Sequence, residues 1–285
     1  MTFALRTTTG YVNRRATSLR TPQIELSIDG EKDAVNEAFE AVPVPASVTV
    51  CVTSCGRLDL LKVTLDSFCR YNTGARFLVS EDSTDMAVIE AVTELVKPHR
   101  VLSGPERLGL MGSIDRLYAA VDTAHIFHLE DDWKFDGPIN WMAAISLLDS
   151  DPKISNVCVR DFSEIKPKYG ACSDEVTHNG AKFRVMHQNA HAEFFGWSSN
   201  PGLIRHDLYR RYAPFTRYMH DQMSGLMKKD GLVMAYLLPG VAGHTGRGRN
   251  VTDPTMPARP TSRPLKWLRA FKKKLYYMGL RREPF

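Results

Sequence analysis

The sequence predicts an α/β fold, a parallel-rich mixed sheet flanked by helices, and three observations carry that prediction. Short β-branched apolar runs alternate with helical stretches from residue 47 to about residue 130, the pattern of βαβ units. Two of these runs end in clustered acids, Glu81-Asp82 and Glu130-Asp131-Asp132. The chain has 285 residues, 43% hydrophobic and 24% charged, which suits one large globular domain with short appendages. Ligands of such sheets bind beyond the carboxyl ends of the strands, so both acidic clusters are expected at one edge.

The elements follow in order. Residues 1–45 form an arm with four arginines and no acid before Glu25, expected to be flexible, with a short helix over Lys32 to Glu40 and a break at Pro43-Val44-Pro45. Ser47 to Val52 is a buried strand. Leu58, Leu61, Leu65 and Phe68 then line one helical face. A strand over Ala75 to Ser80, a helix over about 85–97 stopped by Pro98, and a short strand at Val101-Leu102 come next. Gly109 to Ala124 reads as loop then helix, and Ile126 to Leu129 as a strand. The second half is less regular. It reads as a helix from Pro138 to Leu148, a strand from Ile154 to Val159, a polar excursion over 160–182, a helix from His220 to Lys229 and a strand from Leu232 to Leu238. The main domain spans 46–258, and 259–285 is a separate basic tail.

Composition excludes some classes. The five cysteines are scattered without a CxxC pair, which argues against a disulfide framework and a zinc knuckle. No apolar run approaches the length of a spanning helix, and the N-terminus lacks the apolar core of a secretory signal. A cytoplasmic protein, peripheral at most to a membrane surface, is the expectation.

The chemistry concentrates in a few places. Three consecutive acids after an apolar strand are costly unless solvated or holding something positive. Carboxylates are hard oxygen ligands suited to Mn²⁺ or Mg²⁺ that also bridges phosphates, and such an ion neutralises a departing diphosphate. A solvated turn is the bland alternative for Glu130-Asp131-Asp132. In Gly243-His244-Thr245-Gly246-Arg247-Gly248-Arg249, the two guanidinium groups suit diphosphate oxygens, and the glycines suit a loop closing over a ligand. The alternative there is a plain surface turn. Trp197, within Phe194-Phe195-Gly196-Trp197, either stacks on a sugar face or belongs to the core. His125, His128 and the His187/His191 pair are taken as structural.

Taken in order, these parts resemble GT-A glycosyltransferases, most closely family-2-like enzymes, over roughly residues 47–250. Thr53-Ser54-Cys55-Gly56-Arg57 matches the Thr-x-x-x-Arg of their nucleotide-binding opening. Ser80-Glu81-Asp82-Ser83-Thr84-Asp85 looks like their Asp-Asp-Gly-Ser-Thr-Asp turn without its glycine, and Glu130-Asp131-Asp132 falls where they carry Asp-x-Asp. The resemblance implies donor contacts from Thr53, Arg57, Glu81, Asp82, Glu130, Asp131, Arg247 and Arg249. It implies a metal held by Asp132 and His244, and Asp221, at the start of a helix, as general base, with Glu193 as the competing base. A carboxylate is needed there to take the acceptor hydroxyl's proton. A helix N-terminus favours an acid in any case, the bland reading of Asp221. A metal-dependent, inverting sugar transfer in glycan synthesis is therefore expected, from a UDP- or GDP-sugar donor to a glycan or lipid-linked acceptor contacting Trp197. The rival readings are a nucleotidyltransferase and a non-catalytic binding module. Against the former, the first loop holds one glycine, Gly56, rather than a Gly-rich run.

The tail has its own character. From residue 259 onward it carries nine basic residues and one acid, +8 of the formal total of +5, so the rest of the chain is −3. Trp267, Leu268, Phe271, Leu275 and Met278 share one helical face opposite most of the lysines. Contact with an anionic membrane and packing on the protein's own domain are the two main readings, with nucleic acid the least favoured.

Overall fold

The computed structural model describes residues 40–256, 260–278 and 280–281. The chain divides into two compact units, Met1–Ala38 and Phe39–Phe285. The first, with nearly all of the arm and its expected short helix, lies outside the described residues.

The elements of the second unit run β1 (Val42–Pro43), β2 (Val48–Ser54), α1 (Leu58–Tyr71), β3 (Asn72–Thr73), β4 (Phe77–Glu81), α2 (Met86–Leu95), β5 (Arg100–Leu102), α3 (Gly109–Tyr118), β6 (His125–Glu130) and β7 (Trp133–Phe135). They continue with α4 (Trp141–Ser150), β8 (Ile154–Cys158), α5 (Pro167–Gly170), β9 (Ser173–His178), β10 (Ala181–Met186) and β11 (Gly202–Arg205). The last are α6 (His206–Tyr212), α7 (His220–Lys229), β12 (Val233–Leu238), β13 (Ala242–His244) and α8 (Arg263–Tyr277).

Among the described residues the main sheet has the order β5-β4-β2-β6-β11-β8-β12-β10-β9. Its first four strands are parallel, β11 runs against both neighbours, β8 and β12 are parallel, and β10 and β9 close it antiparallel. All seven residues of β2 are buried, as expected for a parallel strand covered on both faces. The expected α1 face packs inward through Leu61, Leu65 and Phe68. The Phe68 ring is the centre of that packing, with Phe77 at 5.6 Å, Phe135 at 5.2 Å and Phe127 at 5.9 Å between centroids.

Register turns this sheet into a site. In the parallel ladder Ser54 pairs with Glu81 and Thr53 with Glu130, so the first strand and both acidic turns end side by side. A separate ribbon pairs β7 with β13 and sets His244 opposite Trp133.

The structure departs from the sequence reading in several places, and β7, β11, α6 and β13 are elements it did not assign. Val42-Pro43, assigned to the arm, pairs with Asn72-Thr73 and belongs to the folded unit. The polar excursion over 160–182 holds α5 and the first strand of a β9–β10 hairpin turning at Asn179 and Gly180, both at positive φ. The five cysteines are free thiols, and among the described residues no helix is long and apolar enough to cross a membrane.

Candidate active site

A cleft of about 420 Å³ opens at the carboxyl edge of β2, β4 and β6. Of the sequence candidates, Thr53, Arg57, Asp82, Glu130, Asp131, Asp132 and His244 line it together.

The acidic turn is fixed from behind by α1. The Thr64 hydroxyl accepts from the Trp133 amide at 3.0 Å and donates to the Asp131 carbonyl at 2.8 Å, both buried. In front, the Arg57 guanidinium forks across two carboxylates. It holds Asp131 through Nε at 3.2 Å and through Nη2, and Asp132 Oδ2 through Nη1 at 2.8 Å. This planar fork is the geometry that a lysine could not reproduce. Asp131 has no exposed side-chain surface, so the guanidinium is what makes its charge tolerable. Burial pushes Asp131 up to about 6 against the pull of Arg57, leaving it ionised at neutral pH.

Glu130 behaves differently. Burial first, then the charge of Asp132, pushes its carboxyl up to about 8. Its oxygens accept from the Ser199 hydroxyl at 3.3 Å and from the Trp133 indole at 3.4 Å.

Asp132 and His244 meet although they are distant in sequence. His244 Nε2 lies 3.5 Å from Asp132 Oδ2 and edge-on to the Trp133 ring at 5.2 Å. Asp132 Oδ1 is buried and has no hydrogen-bond partner. The loop after β13 folds tightly onto this carboxylate. Thr245 N donates to the Asp132 carbonyl at 2.8 Å, and a Cβ on Gly246 would stand 2.2 Å from Asp132 Oδ2. A side chain there would fill the space around the acid, which is a local reason for glycine. An imidazole nitrogen and an unpartnered carboxylate oxygen form a donor pair that fits Mn²⁺ or Mg²⁺. Among the described residues no cluster of three or more His, Cys, Asp or Glu is placed to hold a metal, so the diphosphate and water would have to supply further ligands.

Other candidates sit elsewhere. Glu81 lies behind the cleft, where Oε1 accepts from Gly56 N at 2.9 Å and Ser83 N at 2.8 Å, shaping both loops. Asp82 reaches the cleft, but its oxygens accept from Leu108 N at 2.7 Å and Gly109 N at 2.9 Å at the start of α3. There it balances the helix dipole. Arg249 pairs with Asp59 at 2.5 Å, and Arg247 is 80% exposed with its nearest acid, Glu164, at 3.9 Å; neither lines the cleft.

Asp221 and Glu193 come together, though not at the cleft wall. The ammonium of Lys273, on α8, bridges them, 2.5 Å from Glu193 Oε2 and in contact with Asp221 Oδ2. His220, the neighbour of Asp221, lines the cleft instead, and it also lines a second cavity of about 400 Å³. Trp197 is a wall of that cavity, 1% exposed, covered by Phe215 at 5.3 Å and His220 at 5.1 Å, with its indole N–H unpartnered.

Among the lining residues that sequence reasoning missed are Arg107, His220 and Asp253. Arg107 had a signal, since it follows β5 at the same carboxyl edge as the acids. Its Nη2 donates to the Thr252 carbonyl at 2.8 Å, holding the segment after β13 over the cleft. Asp253 caps α3 through Leu110 N at 3.0 Å, beside Gly109, where a Cβ would stand 2.3 Å from its carboxylate. That contact had no signal in sequence.

A parallel half-sheet with acidic strand ends, continued by an antiparallel strand into a mixed half, is the GT-A-like glycosyltransferase fold. No family model and no curated protein matches the sequence. Among solved structures, the chain is similar to GalNAc-T7 with UDP, GalNAc and Mn2+ at a TM-score of 0.53 and 15% identity, covering 80% of this chain and 48% of that one. It is also similar to S. aureus TarS 1-349, at a TM-score of 0.49 and 12% identity over 70% of this chain and 60% of the other. The chain therefore spans about half the length of the first of these structures.

Proposed function

We propose that this protein is a metal-assisted glycosyltransferase that binds a nucleotide-sugar donor, UDP- or GDP-linked, in the 420 Å³ cleft and passes the sugar to an acceptor hydroxyl. The observation that carries this reading is the meeting of Asp132 and His244 in that cleft, with Asp132 Oδ1 buried and unpartnered. These two residues would hold Mn²⁺ or Mg²⁺, which supplies charge neutralisation for the departing diphosphate. Arg57 fixes Asp132 by its other oxygen, and Arg107 adds a second cation at the same wall.

On the acceptor side, Asp221 takes the hydroxyl proton as the oxygen attacks the anomeric carbon from the face opposite the diphosphate, with inversion. For that, the Lys273 ammonium must yield Asp221 Oδ2 to the hydroxyl while retaining Glu193. The second cavity, beyond His220 and walled by Trp197, is the room for the acceptor. Peripheral contact of the tail with a membrane belongs to the same reading. A nucleotidyltransferase has less support, because Arg57, the cation of the first loop, is engaged by Asp131 and Asp132.

The test is thermal stability with nucleoside diphosphates and nucleotide sugars, with and without Mn²⁺, on wild type and Asp132→Ala. Ligand at a hundred times its dissociation constant should stabilise the fold by about 2.7 kcal/mol. A metal-dependent gain for one nucleotide, absent from the variant, supports the reading. A folded protein that responds to none of them refutes it.

A further inference from the structure

Helix α8 is docked the unusual way round. An amphipathic helix of a globular protein normally buries its apolar stripe. Here it is Lys273 that points into the body, onto Glu193 and Asp221, and Tyr276, on the same face, lines a hollow with Gln222 and Leu226 of α7. The apolar stripe faces out, with Trp267 69% and Phe271 45% exposed and Leu268 and Met278 beside them. The Trp267 and Phe271 rings stack on each other at 5.5 Å, forming one flat apolar surface.

Charge narrows what covers that surface. The fifteen residues of α8 include six basic side chains and no acid. Several of these bases, Lys272 and Lys274 among them, flank the stripe rather than oppose it. A protein partner would need an apolar patch rimmed by acids, whereas an anionic bilayer offers both properties everywhere on its surface. Tryptophan, with an apolar body and an indole N–H, is suited to the headgroup boundary. A single-stranded nucleic acid would pair with the basic side chains and stack on the two rings, but would leave the exposed Leu268 and Met278 without a role.

We propose that α8 seats this protein on an anionic lipid bilayer while remaining docked through Lys273 on Glu193, so that the acceptor hydroxyl comes from a membrane-borne molecule. The second clause rests on the glycosyltransferase reading; the seat itself does not. The seat itself needs no turning of the helix, since the stripe already faces outward, and Lys273 ties α8 to the start of α7.

The experiment adds vesicles of phosphatidylcholine, with or without phosphatidylglycerol, to the full chain. Trp133, Trp141 and Trp197 are at most 3% exposed, so a change in tryptophan emission reports Trp267. The expected result is co-sedimentation and a blue shift with the anionic vesicles, at least about tenfold stronger than with neutral ones and weakened by salt. Phe271→Glu abolishes both signals, while Trp267→Phe still sediments but loses the shift. Lys273→Ala still binds vesicles, yet amide exchange over 219–223, slowed on vesicles in the wild type, is no longer slowed.

Failure to bind, or binding indifferent to phosphatidylglycerol, overturns the seat. So does a blue shift that appears with protein concentration in the absence of lipid, which would make a second copy the occupant, or sedimentation abolished by a competing oligonucleotide. The two proposals fail separately. Vesicle binding without any nucleotide response leaves the seat and removes the sugar transfer; the reverse leaves an enzyme with a different acceptor.

Discussion

The cleft wall and the tail contact of this molecule are built by different means. The cleft wall is the end of a parallel ladder, held by buried apolar packing behind it and by a guanidinium fork in front. At the tail contact, the Lys273 ammonium joins α8 to Glu193 and Asp221. Glu193 and Asp221 are only 18% and 12% exposed, but Lys273 is 22% exposed and reaches them from a helix whose far face is open to solvent. The difference teaches that one part of a fold can be fixed from both faces while another is held from one face only. Stability and adaptability separate along the same line.

The contrast is sharpened first at Phe68, the ring at the centre of the packing between α1 and the sheet. Phe68→Ala should cost about 3–5 kcal/mol, read from chemical denaturation, because the surrounding rings cannot collapse into the space. A loss below about 1 kcal/mol would mean that the aromatic packing does not brace this half.

Arg57→Ala comes next. It strands Asp131, whose side chain has no exposed surface, and should cost about 3 kcal/mol. Arg57→Lys should recover only part of this, because an ammonium cannot fork across two carboxylates. Full recovery by lysine would show that charge alone suffices.

His128, central in β6 with neither ring nitrogen partnered, gives a pH signature. Burial, helped by His220, lowers its pKa from 6.5 to about 3. The folded state keeps it neutral while the unfolded chain protonates it, so its contribution is complete above about pH 6.5 and is lost as pH falls toward 3. At pH 5 the loss is about 2 kcal/mol relative to pH 7, at about 1.4 kcal/mol per pH unit. In His128→Leu the difference between urea midpoints at the two pH values should shrink accordingly; an unchanged difference would place the titration elsewhere.

The smallest effect is expected at the tail contact. Lys273→Ala breaks partly exposed ion pairs and should cost about 1 kcal/mol or less in global stability. If it costs as much as Arg57→Ala, the two halves are equally rigid and the comparison fails.

Much of this was legible in the sequence. The β-branched runs located the parallel strands, and the acids at their ends located the cleft, because alternation of strand and helix forces parallel order and parallel order brings carboxyl ends together. The Asn179-Gly180 turn was also legible and was passed over, although two residues able to adopt positive φ between runs of strand length are a strong hairpin signal. The polar composition of β9 concealed it, since the outermost strand of a sheet exposes side chains that an inner strand would bury.

What the sequence by itself determined was therefore the parallel character of the first strands, the acidic edge and the amphipathic character of the tail, all consequences of periodicity and local chemistry. Only the tertiary structure decided that Arg57 engages Asp131 and Asp132, that Arg249 turns to Asp59, that His220 rather than Asp221 lines the cleft, and that the tail docks by its basic face. Each of these is a choice among partners distant in the chain. Local sequence states which charges must be paired; the fold alone brings a particular opposite charge within reach.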